Sequence, residues 1–145
     1  MKYEQYNGIV ERAEVFATAA HAGQFRTDDK PFIEHPRKTA EILMTITDDA
    51  NLIAAGWLHD TIEDCGMTYE LLRDEFNDDV AELVALVSHT APNTYPGLKD
   101  NRRAVILKFA DRLSNLSDMA GWSSGKRGKY ILKSMFWNEG DDEQS

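Results

Sequence analysis

The sequence predicts an all-α protein, and three observations carry that expectation. Apolar residues recur at intervals of three and four, most clearly at Val80, Leu83, Val84 and Val87, which is the spacing of one helix face. The periodic windows are separated by helix breakers, among them Gly23, Pro31, Gly66, Pro92 and Pro96. No stretch shows convincing apolar–polar alternation, the mark of a half-buried strand, and no internal repeat is evident. With 145 residues, 42% of them hydrophobic, the chain is long enough to bury the core of one domain.

The elements follow in order. Ile9, Ala13, Phe16 and Ala20 place a first amphipathic helix from about Tyr3 to Ala22, ended by Gly23. Gly23 to Pro36 is polar and reads as a loop. Pro36 suits the first turn of a second helix, because its missing N–H is not needed there, and this helix reaches about Ile46. Asp48 or Asp49 can cap a third helix, which runs through His59 and Asp60. Thr68 can cap a short helix through Phe76, and the Val80 to Val87 stripe makes the next. Ala91 to Gly97 is a loop, Asn101 to Met119 a long helix, Gly121 to Gly128 a flexible turn, and Lys129 to Asn138 a last helix. One domain is expected over 1–138. The tail 139–145 is acidic, lacks apolar residues and is expected to be disordered.

A net charge of −9 argues against a nucleic-acid backbone as partner, which requires a basic footprint. It leaves room for a small anionic substrate, since a bound cation and a few local basic groups can hold phosphates within an acidic protein. Cys65 is the only cysteine, so no intrachain disulfide can form, and without a neighbouring cation it makes a poor nucleophile. No signal peptide and no apolar run of membrane-spanning length are seen. A cytoplasmic protein without a membrane anchor is expected, its oligomeric state open.

The most informative segment is Gly56 to Asp64, Gly-Trp-Leu-His-Asp-Thr-Ile-Glu-Asp. It sets His59, Asp60, Glu63 and Asp64 within six residues of an apolar helical pattern. On a helix, Glu63 lies one turn beyond His59 and Asp60, and Asp64 one turn beyond Asp60. Imidazole beside carboxylate suits a divalent manganese, iron or zinc ion, and a second carboxylate pair one turn on suits proton transfer with a metal-bound water. Burying such charge for packing alone would be costly. In a bundle, further ligands must come from other helices. His35, before Pro36, and Asp111, in the long helix four residues ahead of Asn115, are the best placed. His35, His59, Asp60 and Asp111 would supply two nitrogen and two oxygen donors and leave positions for water and substrate. His21 and His89 each end a helix, where a structural histidine is the expectation.

Read together, Ala20-His21-Ala22-Gly23-Gln24-Phe25-Arg26, Pro31-Phe32-Ile33-Glu34-His35-Pro36, Leu58-His59-Asp60-Thr61-Ile62-Glu63-Asp64 and Lys108-Phe109-Ala110-Asp111-Arg112-Leu113-Ser114-Asn115-Leu116 resemble the hydrolase domain of the RelA/SpoT homologue family. That is the alarmone branch of the HD-domain phosphohydrolases. The resemblance covers about Glu14 to Tyr130 and implies a compact HD-domain helical bundle with a single metal site, similar to the stand-alone small alarmone hydrolases. It implies that His35, His59, Asp60 and Asp111 bind one divalent ion, normally manganese. It implies that Glu63 and Asp64 manage the attacking water, that Arg26 lines the phosphate side of the pocket, and that Asn115 lies near the nucleotide sugar. The implied reaction removes pyrophosphate from the 3′ position of guanosine tetra- or pentaphosphate, leaving GDP or GTP.

The chain departs from the family pattern at three places. Ser88-His89-Thr90 replaces a Thr-Lys type segment, Thr27-Asp28-Asp29-Lys30 lacks a frequent glycine, and Ser117 stands where many members have arginine. These departures touch nucleotide preference. The alternatives are an HD phosphohydrolase acting on another nucleotide and a non-catalytic module that senses the alarmone. The Glu63–Asp64 pair and the Arg26 to His35 segment favour the alarmone hydrolase over the first, and the complete ligand set argues against the second.

Overall fold

Four helices begin at a side chain that accepts a hydrogen bond from an otherwise unpaired backbone N–H. Asp49 accepts from Leu52, Thr68 from Leu71, Asn77 from Val80 and Asn101 from Ala104. The computed structural model describes residues 6–26, 29–92 and 94–117. Within them the chain forms α1 (Ile9–Ala20), α2 (Glu34–Ile46), α3 (Ala50–Leu58), α4 (Thr61–Cys65), α5 (Tyr69–Glu75), α6 (Asp78–Leu86), a 3-10 turn (Leu98–Asp100) and α7 (Arg102–Ser117). Among the described residues no strand forms. Extended pairing is limited to two isolated bridges, Phe25 with Pro31 and Ala91 with Thr94.

The all-α expectation is met, with corrections at several boundaries. The first helix starts at Ile9 rather than Tyr3. Asn7 and Gly8 both take positive φ, 57° and 82°, and a left-handed pair cannot lie inside a right-handed helix. α2 begins at Glu34, so Pro36 sits inside its first turn, where its lack of an N–H costs nothing. The expected third helix is two. α3 closes at Leu58, and α4 restarts at Thr61 after Asp60 takes φ −99° and ψ 1°. At the break the Thr61 hydroxyl donates to the Leu58 carbonyl at 2.7 Å, satisfying one of the acceptors left at the end of α3. The turn and helix expected over 121–138 and the tail lie outside the described residues. Among those described, no helix is long and apolar enough to cross a membrane.

α3 is the central element. Every residue from Leu52 to Leu58 is buried, the pattern of a helix enclosed on all sides, and it packs against α1, α2, α6 and α7. Its first turn is tied down by Arg103, which forks onto Asp49 and Asp79 with four bonds of 2.8–3.0 Å. Its last turn carries Gly56, where α2 comes close. A Cβ at Gly56 would lie 2.7 Å from Leu43 Cδ1 and 3.3 Å from Ala40 Cα. The leucine tip can swing aside, but the Ala40 backbone cannot. Gly56→Ala is therefore expected to force α2 outward and to lower stability by roughly 1–3 kcal/mol, despite alanine's better helix propensity. The midpoint of denaturant unfolding checks this.

Candidate metal centre and its pocket

Three parts of the fold meet at the C-terminal end of α3. His35 is the second residue of α2, His59 and Asp60 form the joint between α3 and α4, and Asp111 lies in the middle of α7. His35 Nε2 is 2.8 Å from Asp111 Oδ1 and 3.2 Å from His59 Nε2. His59 Nε2 is 3.3 Å from Asp111 Oδ1 and 3.2 Å from Asp60 Oδ2, and that oxygen is 3.5 Å from His35 Nε2. His35, His59 and Asp111 are buried, while Asp60 faces the pocket. Bonds of about 2.1 Å to a first-row ion would set neighbouring donors roughly 3.0–3.4 Å apart. The observed spacing of two imidazole nitrogens and two carboxylate oxygens fits that requirement, and His35, His59 and Asp111 form a candidate divalent-metal cluster.

The far side of each donor is anchored. His59 Nδ1 donates to the Gly56 carbonyl at 2.8 Å. His35 Nδ1 faces Ser114 Oγ at 3.0 Å, and the Ser114 hydroxyl lies 3.3 Å from the His35 carbonyl, to which it donates. With its proton committed there, Ser114 accepts from Nδ1–H. Both rings thus turn Nε2 inward, as second-layer hydrogen bonds do in metal sites. The second Asp111 oxygen is held by Lys108 Nζ at 3.2 Å, and that ammonium sits 4.1 Å from the centre of the Tyr95 ring.

These contacts set the charges. Burial pushes the His59 imidazole down, but Asp60 and Asp111 outweigh it and hold its pKa well above 6.5. Burial raises Asp111, yet His59 and the His35 hydrogen bond hold its carboxyl well below the usual range. Asp60 is lowered in the same way, against burial, chiefly by His59. Asp64 goes the other way. Burial, with Asp60 and Glu63 nearby, pushes it up to about 6.

The cluster forms the floor of a cavity of about 530 Å³. Seven of the eight residues expected to form the site line this cavity: His35, Asp60, Glu63, Asp64, Asp111, Arg26 and Asn115. His59 is buried against His35, Asp60 and Asp111. Arg26 Nη2 donates to Asn115 Oδ1 at 3.1 Å, so the two candidate substrate contacts meet each other. Glu63 is already engaged. Its Oε2 accepts from the His89 backbone N–H at 2.6 Å, and its Oε1 lies 3.5 Å from the His89 ring.

Six further wall residues were not among the expected site residues: Phe25, Phe32, His89, Tyr95, Lys108 and Arg112. Lys108 and Arg112 flank Asp111 at helical spacing, a signal that was available. Tyr95 lies in a loop and offered none. His89 is half exposed on the wall rather than packed away as a structural residue. His21, by contrast, is buried as expected.

A helical bundle that gathers two histidines and two aspartates at the floor of a polar pocket has the architecture of a metal-dependent helical domain. Residues 13–93 match the HD domain family, and the chain belongs to that family. Its relatives agree with the resemblance carried by the four motifs. It is 36% identical over 124 residues to a probable GTP pyrophosphokinase of Mycobacterium leprae, covering 77% of this chain and 16% of that protein. It is 31% identical over 145 residues to a guanosine-3′,5′-bis(diphosphate) 3′-pyrophosphohydrolase of Aquifex aeolicus, covering 92% and 21%. A protein of the same name from Haemophilus influenzae is 32% identical over 136 residues, with 83% and 20% covered. The chain therefore spans about a fifth of the length of these relatives. Among solved structures, a metazoan orthologue of SpoT described as hydrolysing ppGpp shares the fold. The TM-score is 0.74 at 23% identity, with 88% of this chain and 82% of that one covered.

The raised Asp64 carboxyl has a consequence for stability. A group whose folded pKa lies above its unfolded value of 3.8 favours the folded state only while protonated, and the ionised form opposes folding. The penalty therefore grows as pH rises from about 4 to 6. Asp64→Asn is expected to stabilise the metal-free protein at pH 7, by up to about 1 kcal/mol at this partly solvated position. The gain should vanish below about pH 4. Thermal unfolding of both proteins across that range checks it.

Proposed function

We propose that this chain is a metal-dependent 3′-pyrophosphohydrolase of guanosine tetra- and pentaphosphate, releasing pyrophosphate and GDP or GTP. The observation that carries the reading is the convergence of His35 Nε2, His59 Nε2, Asp60 Oδ2 and Asp111 Oδ1, within 3.5 Å of one another in each measured pair, at a cavity whose wall also carries Arg26, Lys108 and Arg112. Relatives named for this reaction support the substrate. In this reading those four residues hold one divalent ion, manganese by family resemblance. The ion would supply polarisation of the phosphoryl group and acidification of water.

The protein's own groups do the rest. Asp64, raised to about 6, is the residue matched to taking the proton of the attacking water near neutral pH. As the new O–P bond forms, the bond from phosphorus to the ribose 3′ oxygen breaks, and that oxygen leaves as a hydroxyl once protonated. Arg26, with Lys108 and Arg112, supplies fixed positive charge for the phosphates. Asn115 holds the Arg26 guanidinium and, by resemblance, lies beside the sugar. Glu63, by resemblance, shares with Asp64 the management of the attacking water, and it also holds the His89 backbone. One domain extending to 138 and a cytoplasmic setting complete the proposal.

Product analysis tests it. Purified, manganese-loaded protein is expected to convert guanosine tetraphosphate to GDP and pyrophosphate, and Asp60→Ala is expected to lose at least a thousandfold in kcat. In the wild type kcat should fall tenfold per pH unit on the acid side, with the limb at about pH 6 or below, because a bound cation pulls Asp64 down. Metal-dependent hydrolysis of another nucleotide, with the alarmone untouched, would reassign the substrate within the HD phosphohydrolases. An Asp60→Ala protein as active as wild type would refute the metal assignment.

A further inference from the structure

His21 and Gln24 belong to a sequence motif of their own, yet neither has a part in the chemistry proposed above. The structure links both to the element that carries the acidic pair. α4 has five residues, and a helix that short has no stability of its own in water. Its geometry must be imposed from outside. Its last carbonyls are also left without partners inside the helix, and one of them is Asp64 O. That carbonyl accepts from Gln24 Nε2 at 3.2 Å, across 40 residues of sequence. The next residue, Cys65, donates its thiol to the Ala20 carbonyl at 3.4 Å, and its sulfur also lies 3.6 Å from Gln24 Nε2.

Gln24 can do this only with its amide turned one way. Its oxygen must face elsewhere for Nε2 to face Asp64, and it is claimed by His21 Nδ1 at 2.9 Å. An N–H at Nδ1 donates to Oε1 and so fixes the amide. His21 is itself closely packed. It is 2% exposed, its ring lies 4.7 Å from the ring of Phe32 at an interplanar angle of 31°, and Phe32 meets the His35 ring edge-on at 6.1 Å. The loop on which Gln24 sits is closed by the Phe32 N–H donating to the Gln24 carbonyl at 2.9 Å. Burial lowers the His21 pKa despite the Gln24 contact, so the ring is neutral at pH 7 and adds no charge beside the carboxylates.

We propose that Gln24, oriented by His21, is a positioning residue that holds the backbone of Asp64 in register with the metal centre. The pair acts through Asp64 and touches neither metal nor substrate. This inference rests on the function proposed above for its kinetic readout, but not for its structural one.

Two variants separate positioning from mere packing. Gln24→Met keeps the shape and removes both hydrogen bonds. Gln24→Glu keeps the acceptor for His21 and replaces the donor at Asp64 O by an acceptor. With wild-type protein active, both are expected to lower kcat by ten- to a hundredfold and leave KM within threefold. Gln24→Glu should also shift the acid limb of kcat upward, because a second negative charge stands by Asp64. His21→Asn, whose amide can replace Nδ1–H, should keep more than a third of wild-type kcat, whereas His21→Leu should match Gln24→Met. Manganese affinity, read by titration, should change less than threefold in Gln24→Met.

Amide hydrogen exchange gives a readout without substrate. In Gln24→Met the N–H groups of Asp64 and Met67, bonded to Asp60 O and Thr61 O, should exchange at least tenfold faster, with those of α3 unchanged. Unaltered exchange at α4, or kinetics in Gln24→Met and Gln24→Glu equal to wild type, would overturn the inference. Wild-type protein inactive on the alarmone would refute the proposed substrate alone and leave the exchange result to decide this one.

Discussion

The described helices meet around two imidazole nitrogens that face each other at 3.2 Å with carboxylate oxygens beside them. Such a cluster is unfavourable unless its charges compensate one another. In the metal-free protein compensation comes from a proton, held on His59 by Asp60 and Asp111. A divalent ion would do the same job with more charge at the same place. The four groups come from α2, the joint after α3, and α7, so their separation is set by how those helices pack. Gly56 is the clearest instance. It lets α2 approach α3, and its carbonyl fixes the His59 ring.

Two neighbouring carboxylates face the pocket above the cluster in different environments. Asp64 has a raised pKa and no hydrogen-bond partner for its carboxylate among those described, which suits it to exchange protons. Glu63 is committed to the His89 backbone at 2.6 Å. It ties the Ser88 to Gly97 loop, and with it Tyr95, to the acidic helix. Tyr95 in turn lies under Lys108, which holds Asp111. The chain of contacts thus runs from one acidic residue, through the loop, back to the metal centre. Adjacent carboxylates on a five-residue helix end up in different environments because the helix presents them to different neighbours.

Much of this was legible in the sequence. The caps at Asp49 and Thr68, the apolar stripe of α6 and the enclosed helix before His59 follow from local rules, because each depends on residues within a few positions. The metal candidates were legible for another reason: charged residues in an apolar helix pattern are costly, so they mark a site. The break between α3 and α4 was not legible. No glycine or proline marks it, and the Thr61 hydroxyl that accompanies it can equally sit within a helix. The late start of α1 was missed because the residue types Asn7 and Gly8 do not by themselves announce the positive φ that both adopt. Hidden entirely were contacts across distant sequence, such as Gln24 with Asp64 and Glu63 with His89. Nothing in local pattern encodes which loop will lie against which helix end.

The most direct test of the account is calorimetric titration of the metal-free protein with manganese at pH 7, repeated in buffers of different ionisation enthalpy to count protons. One ion is expected to bind per chain with release of about one proton, because the ion needs the His59 lone pair that the proton occupies. Asp111→Ala should abolish tight binding. Binding with no proton release, or equal affinity in Asp111→Ala, would contradict the central claim that these buried groups form the metal site.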